Sequence, residues 1–340
     1  MRTAYKCRAY PTTEQAAVLN RTFGCVRVVW NRTLAWRHTR WHREQQSTNF
    51  PAANAYLTEM KQDPDLAWLS EVSSVPLQQS LRTQQAAYAN FFAKRARYPR
   101  FKSRAGRQSA EYTRSGFRWR DGQLLLAKMA TPIKLAWSWP DIDPASINPT
   151  TITVSREPDG RWYVSVAVDV ADPEPLSPTN TAVGIDLGIA NFATMSDGEI
   201  VANPRHLERK ARNLARYQRR MARCQKGSNN RAKAKLKVAR ANSKVRNARK
   251  DFLHKTSTRI VRHNDVIAVE DLAVKNMVKN RRLSKAISDT GWGEFRRQLA
   301  YKAEQAGRQL VVIDRWYPSS KTCSQCGHLL AALSLGTRTW

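Results

Sequence analysis

The chain has 340 residues, enough at about 150 per domain for two or three domains with real cores. Lysine and arginine number 58 against 27 acidic residues, a formal charge of +31, while 41% of the residues are apolar. That apolar content excludes a disordered basic tail, and no run of about 18 uncharged apolar residues exists to span a membrane.

An excess of this size calls for polyanionic partners. It is spread widely and interleaved with aromatic residues, the composition of a nucleic-acid binder rather than of a membrane-anchored protein. The start, MRTAYKCRAYPTTEQ, lacks an apolar secretory core. The five cysteines contain a single Cys-x-x-Cys and make no disulfide framework. The expectation is a reducing cytoplasm, with metal chemistry ahead of crosslinks.

Residues 2–10 alternate and run into Pro11, predicting a short strand. Thr12 and Gln15 have capping-box spacing and open a helix with the stripe Leu19, Phe23, Val26, Trp30 and Leu34. A further helical stretch runs from Leu66 to Phe92, and the basic YPRFKSRAGR (98–107) reads as a connector. From about 112 the period becomes two. Asp121-Gly122 and Asp159-Gly160, each flanked by alternating residues, predict hairpins in a small antiparallel barrel that the first strand completes. The Pro-rich ADPEPLSPTNT (171–181) marks the clearest boundary. Beyond it, VGIDLG (183–188), a hairpin around Asp197-Gly198, VIAVED (266–271), a helix over 291–307 and QLVVID (309–314) alternate strands with helices.

Residues 205–255 carry nineteen Lys or Arg against Glu208 and Asp251, a balance of +17. Leu207, Leu214 and Met221 recur every seven, and after QKGSNN (225–230) Val238, Ala241, Val245, Ala248 and Phe252 alternate three and four. Two antiparallel helices zipped along one seam, basic elsewhere, satisfy both patterns. Solvated faces normally mix signs, so this one reads as a grip on phosphate backbone.

Asp186 lies inside an apolar strand and Glu270 repeats the arrangement; an embedded carboxylate meets a metal, a cation or hydrogen-bond donors. Together they are candidates to hold magnesium for phosphodiester cleavage; the alternative is that both pair with arginines. Asp271 points to the opposite face and reads as structural. Cys323-Ser-Gln-Cys326-Gly327 has the form of a zinc knuckle and offers two of four ligands, with His328 a candidate third. Cys7, Cys25 and Cys224 are isolated and read as small core or surface residues.

With these residues the chain resembles the OrfB/TnpB family of transposon-encoded RNA-guided DNA endonucleases. The resemblance runs through YKCRAYPTTEQ (5–15), WNR (30–32), YPRFK (98–102), GIDLG (184–188), VEDL (269–272) and WYPSSKTCSQCG (316–327). It implies a multidomain α+β chain. The first strand (1–10) belongs to an oligonucleotide-binding-like β-barrel (109–172), and residues 11–108 form a helical recognition domain with a helix-turn-helix-like start. After a linker (173–181) comes an RNase H-like (RuvC-like) nuclease domain (182–340), with the basic hairpin at 205–255 and half a zinc ribbon at 318–340. Asp186 and Glu270 match catalytic, magnesium-holding carboxylates, and Cys323 and Cys326 match zinc ligands.

The implied partners are a guide RNA from the transposon end and double-stranded target DNA, with no membrane, in a prokaryotic cytoplasm at the nucleoid. The cations assigned to nucleic acid are Arg209, Lys210, Arg212, Arg216, Arg219, Arg220, Arg223, Lys233, Lys235, Lys237, Arg240 and Lys244, with Arg100 and Lys102 outside the hairpin. The family continues with a second Cys-x-x-Cys and a third catalytic Asp, which do not occur before Trp340; Asp289 and Asp314 are poor substitutes. The expectation is therefore impaired cleavage. The alternative is a cleavage-dead RNA-guided DNA-binding repressor. A recombinase would need a reactive Tyr or Ser, and no residue is singled out for that role.

Overall fold

The computed structural model describes every residue except 319, 320, 324, 335, 336 and 338–340. The chain divides into two compact units, Met1–Ala171 and Asp172–Trp340, at the boundary that the Pro-rich segment marks. No helix among the described residues is long and apolar enough to cross a membrane.

The first unit begins with strand β1 (Arg2–Tyr10) and helix α1 (Thr13–Glu44). The capping box is complete: the Gln15 amide donates to Thr12 Oγ1 at 3.2 Å, and the Thr12 amide donates to Gln15 Oε1 at 3.0 Å. All five predicted stripe residues are buried. The helix continues unbroken to a left-handed cap at Gln45, so residues 2–44 hold a strand and one long helix. The only glycine inside it, Gly24, leaves the hydrogen-bond ladder intact, and no proline interrupts it.

Helix α2 (Phe50–Gln62), a 3-10 stretch (Pro64–Glu71) and α3 (Ser74–Phe92) follow. The stretch predicted from Leu66 is thus broken near Ser73, whose hydroxyl caps α3.

Next come β2 (Gln108–Thr113), β3 (Phe117–Arg120), β4 (Gln123–Leu126), β5 (Lys134–Ala136), β6 (Pro149–Arg156) and β7 (Trp162–Asp169). One antiparallel sheet has the order β2-β6-β7-β1-β5, and a bridge between Leu124 and Ile133 carries it on to the β3–β4 hairpin. Asp121 and Gly122 both have positive φ, as a two-residue hairpin with the strands' own twist requires. Strand and helix side chains share one core, to which Val164 and Ile152 of the strands and Leu19, Leu77 and Leu81 of the helices all belong.

The second unit holds β8 (Ala182–Leu187), β9 (Asn191–Met195), β10 (Ile200–Ala202), α4 (His206–Arg223) and α5 (Asn229–His263). Then come β11 (Val266–Glu270), α6 (Val274–Met277), α7 (Ser284–Thr290), α8 (Trp292–Gln305) and β12 (Gln309–Ile313). The sheet order is β10-β9-β8-β11-β12. β9 and β10 pair antiparallel as a meander from β8, whereas β11 lies parallel to both β8 and β12. Helices α5 and α8 cover one face through Leu253, Ile260, Val261, Phe295, Leu299 and Ala303.

The expected linker is laced to this unit. Leu176 donates to the Ala306 carbonyl, and Thr179 and Asn180 donate their amides to Asp265. The basic hairpin also differs in extent: its second helix does not stop at 255 but runs on to His263, so one continuous α5 is a basic arm at its start and a core helix at its end. Along the expected seam Val245 is buried, but Ala248 is exposed.

Candidate active site and nucleic-acid interface

Strand β8 alternates. Val183, Ile185 and Leu187 are buried under the helices, so Gly184 and Asp186 take the opposite face. On β11, Ile267 and Val269 are buried, and Glu270 belongs with Ala268 on that same opposite face. The parallel register pairs Val269 with Ile185, and the next residue on each strand is Glu270 and Asp186. Asp186 also faces Thr194 on β9, and Glu270 faces Ile313 on β12.

The expectation of acids embedded in strands buried on both faces is corrected here: Asp186 is exposed and Glu270 half-buried. The six-residue run looked continuously apolar because glycine, not a polar residue, alternates with Val183 and Ile185. Ile200 is 59% and Val311 38% exposed on the uncovered side of the sheet.

No hydrogen bond or ion pair engages either carboxylate side chain among the described residues, so arginine pairing, the alternative open at the sequence level, is not what the structure contains. The Glu270 carboxyl is pushed above the usual glutamate range, first by burial and then by the neighbouring Asp186 charge. Two like charges held side by side without a cation suit a hard dication that takes oxygen ligands. The residues present fit that group in type and adjacency. No cluster of three or more His, Cys, Asp or Glu able to hold a metal occurs among the described residues.

Asp271, one residue on, is held by two arginines as a structural acid would be, but it lines the same cavity as Glu270 and is not turned away from it as expected. Arg296 on α8 donates to one of its oxygens and Arg315, just after β12, to the other. These two contacts hold its carboxyl below the usual range. Both guanidinium groups remain about two-fifths exposed. They line a cavity of about 540 Å³ together with Glu270, Lys275 and Trp292. Sequence reasoning missed Arg296, Arg315 and Lys275; no local pattern distinguishes them among 58 basic residues, and they reach Glu270 from three separate places, α8, the segment just after β12 and α6.

Asp289 is committed elsewhere, accepting from the Leu207 amide at 2.8 Å and pairing with Arg249 at 2.5 Å. Asp314 is exposed and accepts from the Trp316 amide at 2.8 Å. Neither joins the carboxylate pair.

On the α4–α5 arm, every one of the cations predicted there is exposed, and none has an ion pair among the described residues. Outside it, Arg100 is exposed, but Lys102 is drawn inward. Its ammonium lies 3.8 Å from the Trp30 ring centre, and burial, with help from Arg107, lowers its pKa to about 8. The Trp30 indole donates to the Arg100 carbonyl, and Asn31 exchanges hydrogen bonds with the Lys102 backbone. The WNR and YPRFK motifs therefore clasp each other.

Cys323 and Cys326 sit in a tight turn. The Cys323 amide donates to the His328 carbonyl at 2.8 Å, and Gly327 takes a positive φ. Amides of Cys326 and Gln325 point at the Cys323 sulfur and lower its pKa, which is how a knuckle prepares a thiolate for a metal. The pair fits half of a tetrahedral zinc site; several residues of the expected ribbon (318–340) lie outside the described residues. Cys7 and Cys25 are buried, and burial pushes both thiols up to about 11.

A two-unit α+β protein with an unpaired carboxylate pair at the end of parallel strands, an adjoining cationic cleft and a basic helical arm is of the class that handles polyanionic substrates. Three family models match: OrfB_IS605, "Probable transposase", over residues 165–281; a helix-turn-helix domain of the same family over 1–46; and a Cas12f1-like TNB domain over 292–340. A "Putative RNA-guided DNA endonuclease" of Streptomyces pristinaespiralis is 53% identical over 99% of this chain and 83% of its own length. "Putative RNA-guided DNA endonuclease InsQ" of Escherichia coli (strain K12) is 34% identical over 96% of this chain and 83% of its own. The chain belongs to the OrfB/TnpB family. Its fold is similar to that of Cas12f1 solved in a complex with sgRNA and target DNA, with a TM-score of 0.59 at 12% identity over 97% of this chain and 92% of that one.

Proposed function

We propose that the protein is an RNA-guided DNA endonuclease whose phosphodiester chemistry is centred on Asp186 and Glu270. The observation that carries the reading is the carboxylate pair itself, two acids in register on adjacent parallel strands with no protein cation between them. The sheet order, with three antiparallel strands followed by two parallel ones, supports an RNase H-like (RuvC-like) assignment for the second unit. The helices and antiparallel sheet of the first unit support a recognition lobe and an oligonucleotide-binding barrel. The relatives' names and the sgRNA and target DNA of the Cas12f1 complex supply the partner classes.

Magnesium bound there would supply Lewis acidity to a scissile phosphate and lower the pKa of a bound water. Asp186 and Glu270 would hold it through their oxygens. Arg296 and Arg315, fixed by Asp271, present N–H donors beside Glu270 and orient the strand's phosphates. The α4–α5 arm tracks nucleic-acid backbone, and Cys323 with Cys326 contributes to a zinc site. The place of action is the cytoplasm, at the nucleoid.

The second reading is guided binding without efficient cutting; it starts from Asp271 being tied up by Arg296 and Arg315, which leaves Asp186 and Glu270 as the unpaired acids at this edge of the sheet among the described residues. Magnesium-dependent nicking of a matched duplex by the protein loaded with its RNA decides between them. Nicking that disappears in Asp186→Ala supports the nuclease, and matched binding without nicking supports the repressor.

A further inference from the structure

The first unit contains a cleft that the nuclease reading leaves unused. It lies between the end of α1, the loop after it, the end of α3 and Tyr98, with a volume of about 390 Å³. Its walls are aromatic. Tyr98 stands edge-on to Tyr88 and Phe91, with ring centres 5.5 and 5.3 Å apart, and the Tyr88 and Tyr98 hydroxyls share a hydrogen bond of 3.0 Å. At the mouth Phe92 is 74% and Trp41 53% exposed.

Arg37 lines the same cleft and is only 4% exposed. It donates to Gln85 Oε1 at 3.0 Å and to the Asn49 carbonyl at 3.3 Å, and stacks 5.2 Å from the Tyr88 ring. It has no carboxylate partner among the described residues, and its buried Nε has no acceptor. A buried guanidinium in that condition is costly unless a ligand completes it. Aromatic faces with a donor-only cation at the floor match a flat π-system with carbonyl acceptors, as nucleobases have. Lys94, Arg95 and Arg97, exposed just after Phe92, place positive charge where the adjoining phosphates would lie.

We propose that this cleft receives an unpaired base of the RNA, stacked against Phe92 and Trp41 and hydrogen-bonded by Arg37. The proposal rests on the RNA-guided reading. Folded RNA displays unstacked bases in loops and ends throughout the life of the complex, whereas DNA offers them only in the strand displaced by guide pairing, and the sugar of the cross-linked nucleotide separates the two.

The test is ultraviolet cross-linking of the protein purified with its RNA, followed by peptide mapping. The expected result is a ribonucleotide adduct on Trp41 or on the segment from Tyr88 to Tyr98. The double variant Trp41→Ala with Phe92→Ala changes exposed rings and keeps the fold. It should bind the extracted RNA roughly five- to a hundredfold more weakly, the range for a lost base–aromatic stack, with an unchanged salt slope. Adducts confined to the α4–α5 arm, or unchanged affinity of the variant, overturn the cleft assignment while leaving the RNA-guided reading intact. Deoxynucleotide adducts at these rings assign the cleft to DNA and overturn it as an RNA site. Protein recovered without any RNA overturns both readings.

Discussion

Asp186 and Glu270 stand side by side because β8 and β11 run parallel in a register that aligns Ile185 with Val269. Parallel strands bring both C-terminal ends to one edge of a sheet, so two acids far apart in sequence meet at the place where such sheets present their ligands. Asp186→Ala and Glu270→Gln should each abolish magnesium-dependent nicking. Both should also remove the rise in melting temperature that magnesium gives the parent protein. A variant that keeps both responses places the metal elsewhere.

The raised Glu270 carboxyl has a consequence for stability. The folded protein holds that proton more tightly than the unfolded chain does. Stability of the metal-free protein therefore falls as pH rises from the ordinary glutamate value through the raised one. Glu270→Gln should flatten the melting-temperature profile over that window and stabilise the metal-free protein above it. An identical profile in parent and variant rules out a raised Glu270 carboxyl, whether from burial or from Asp186.

Asp271 holds Arg296 and Arg315 in place, and in the proposed mechanism it would act through them. Asp271→Asn should lower nicking by about 10- to 100-fold, the usual loss when a group that orients an active site is removed. The thermal response to magnesium should persist, because Asp186 and Glu270 are untouched. Loss of that response would make Asp271 a ligand instead.

Replacing Arg209, Arg212, Arg216, Arg219, Lys233 and Lys237 by Gln should leave the fold intact, since all six are exposed. The dependence of duplex binding on salt should flatten by about 0.9 log units per log of salt for each lost phosphate contact. An unchanged slope removes the arm from the interface.

Alkylation should separate the cysteines. Cys326 is exposed and Cys323 partly so, and they should react first, with zinc protecting them. Cys7 and Cys25, buried with thiols pushed up to about 11, should react only on unfolding. Zinc protection of Cys7 or Cys25 would show that the metal ligands lie elsewhere.

The sequence by itself determined whatever depends on neighbours along the chain. Thr12 and Gln15 cap α1, Asp121-Gly122 and Asp197-Gly198 turn hairpins, and +17 in 51 residues marks out a basic helical arm. The motifs around Asp186, Glu270 and Cys323 were legible for the same reason. Tertiary structure decided what depends on which face a residue takes and on what crosses the sheet. It left Asp186 in the open, since only one face of β8 is covered, and carried α5 past the basic arm into the core. It gave Asp271 its two arginines and left Arg37 buried without an anion. Those outcomes are set by packing between segments distant in sequence, where alternation and spacing carry no information about the partner.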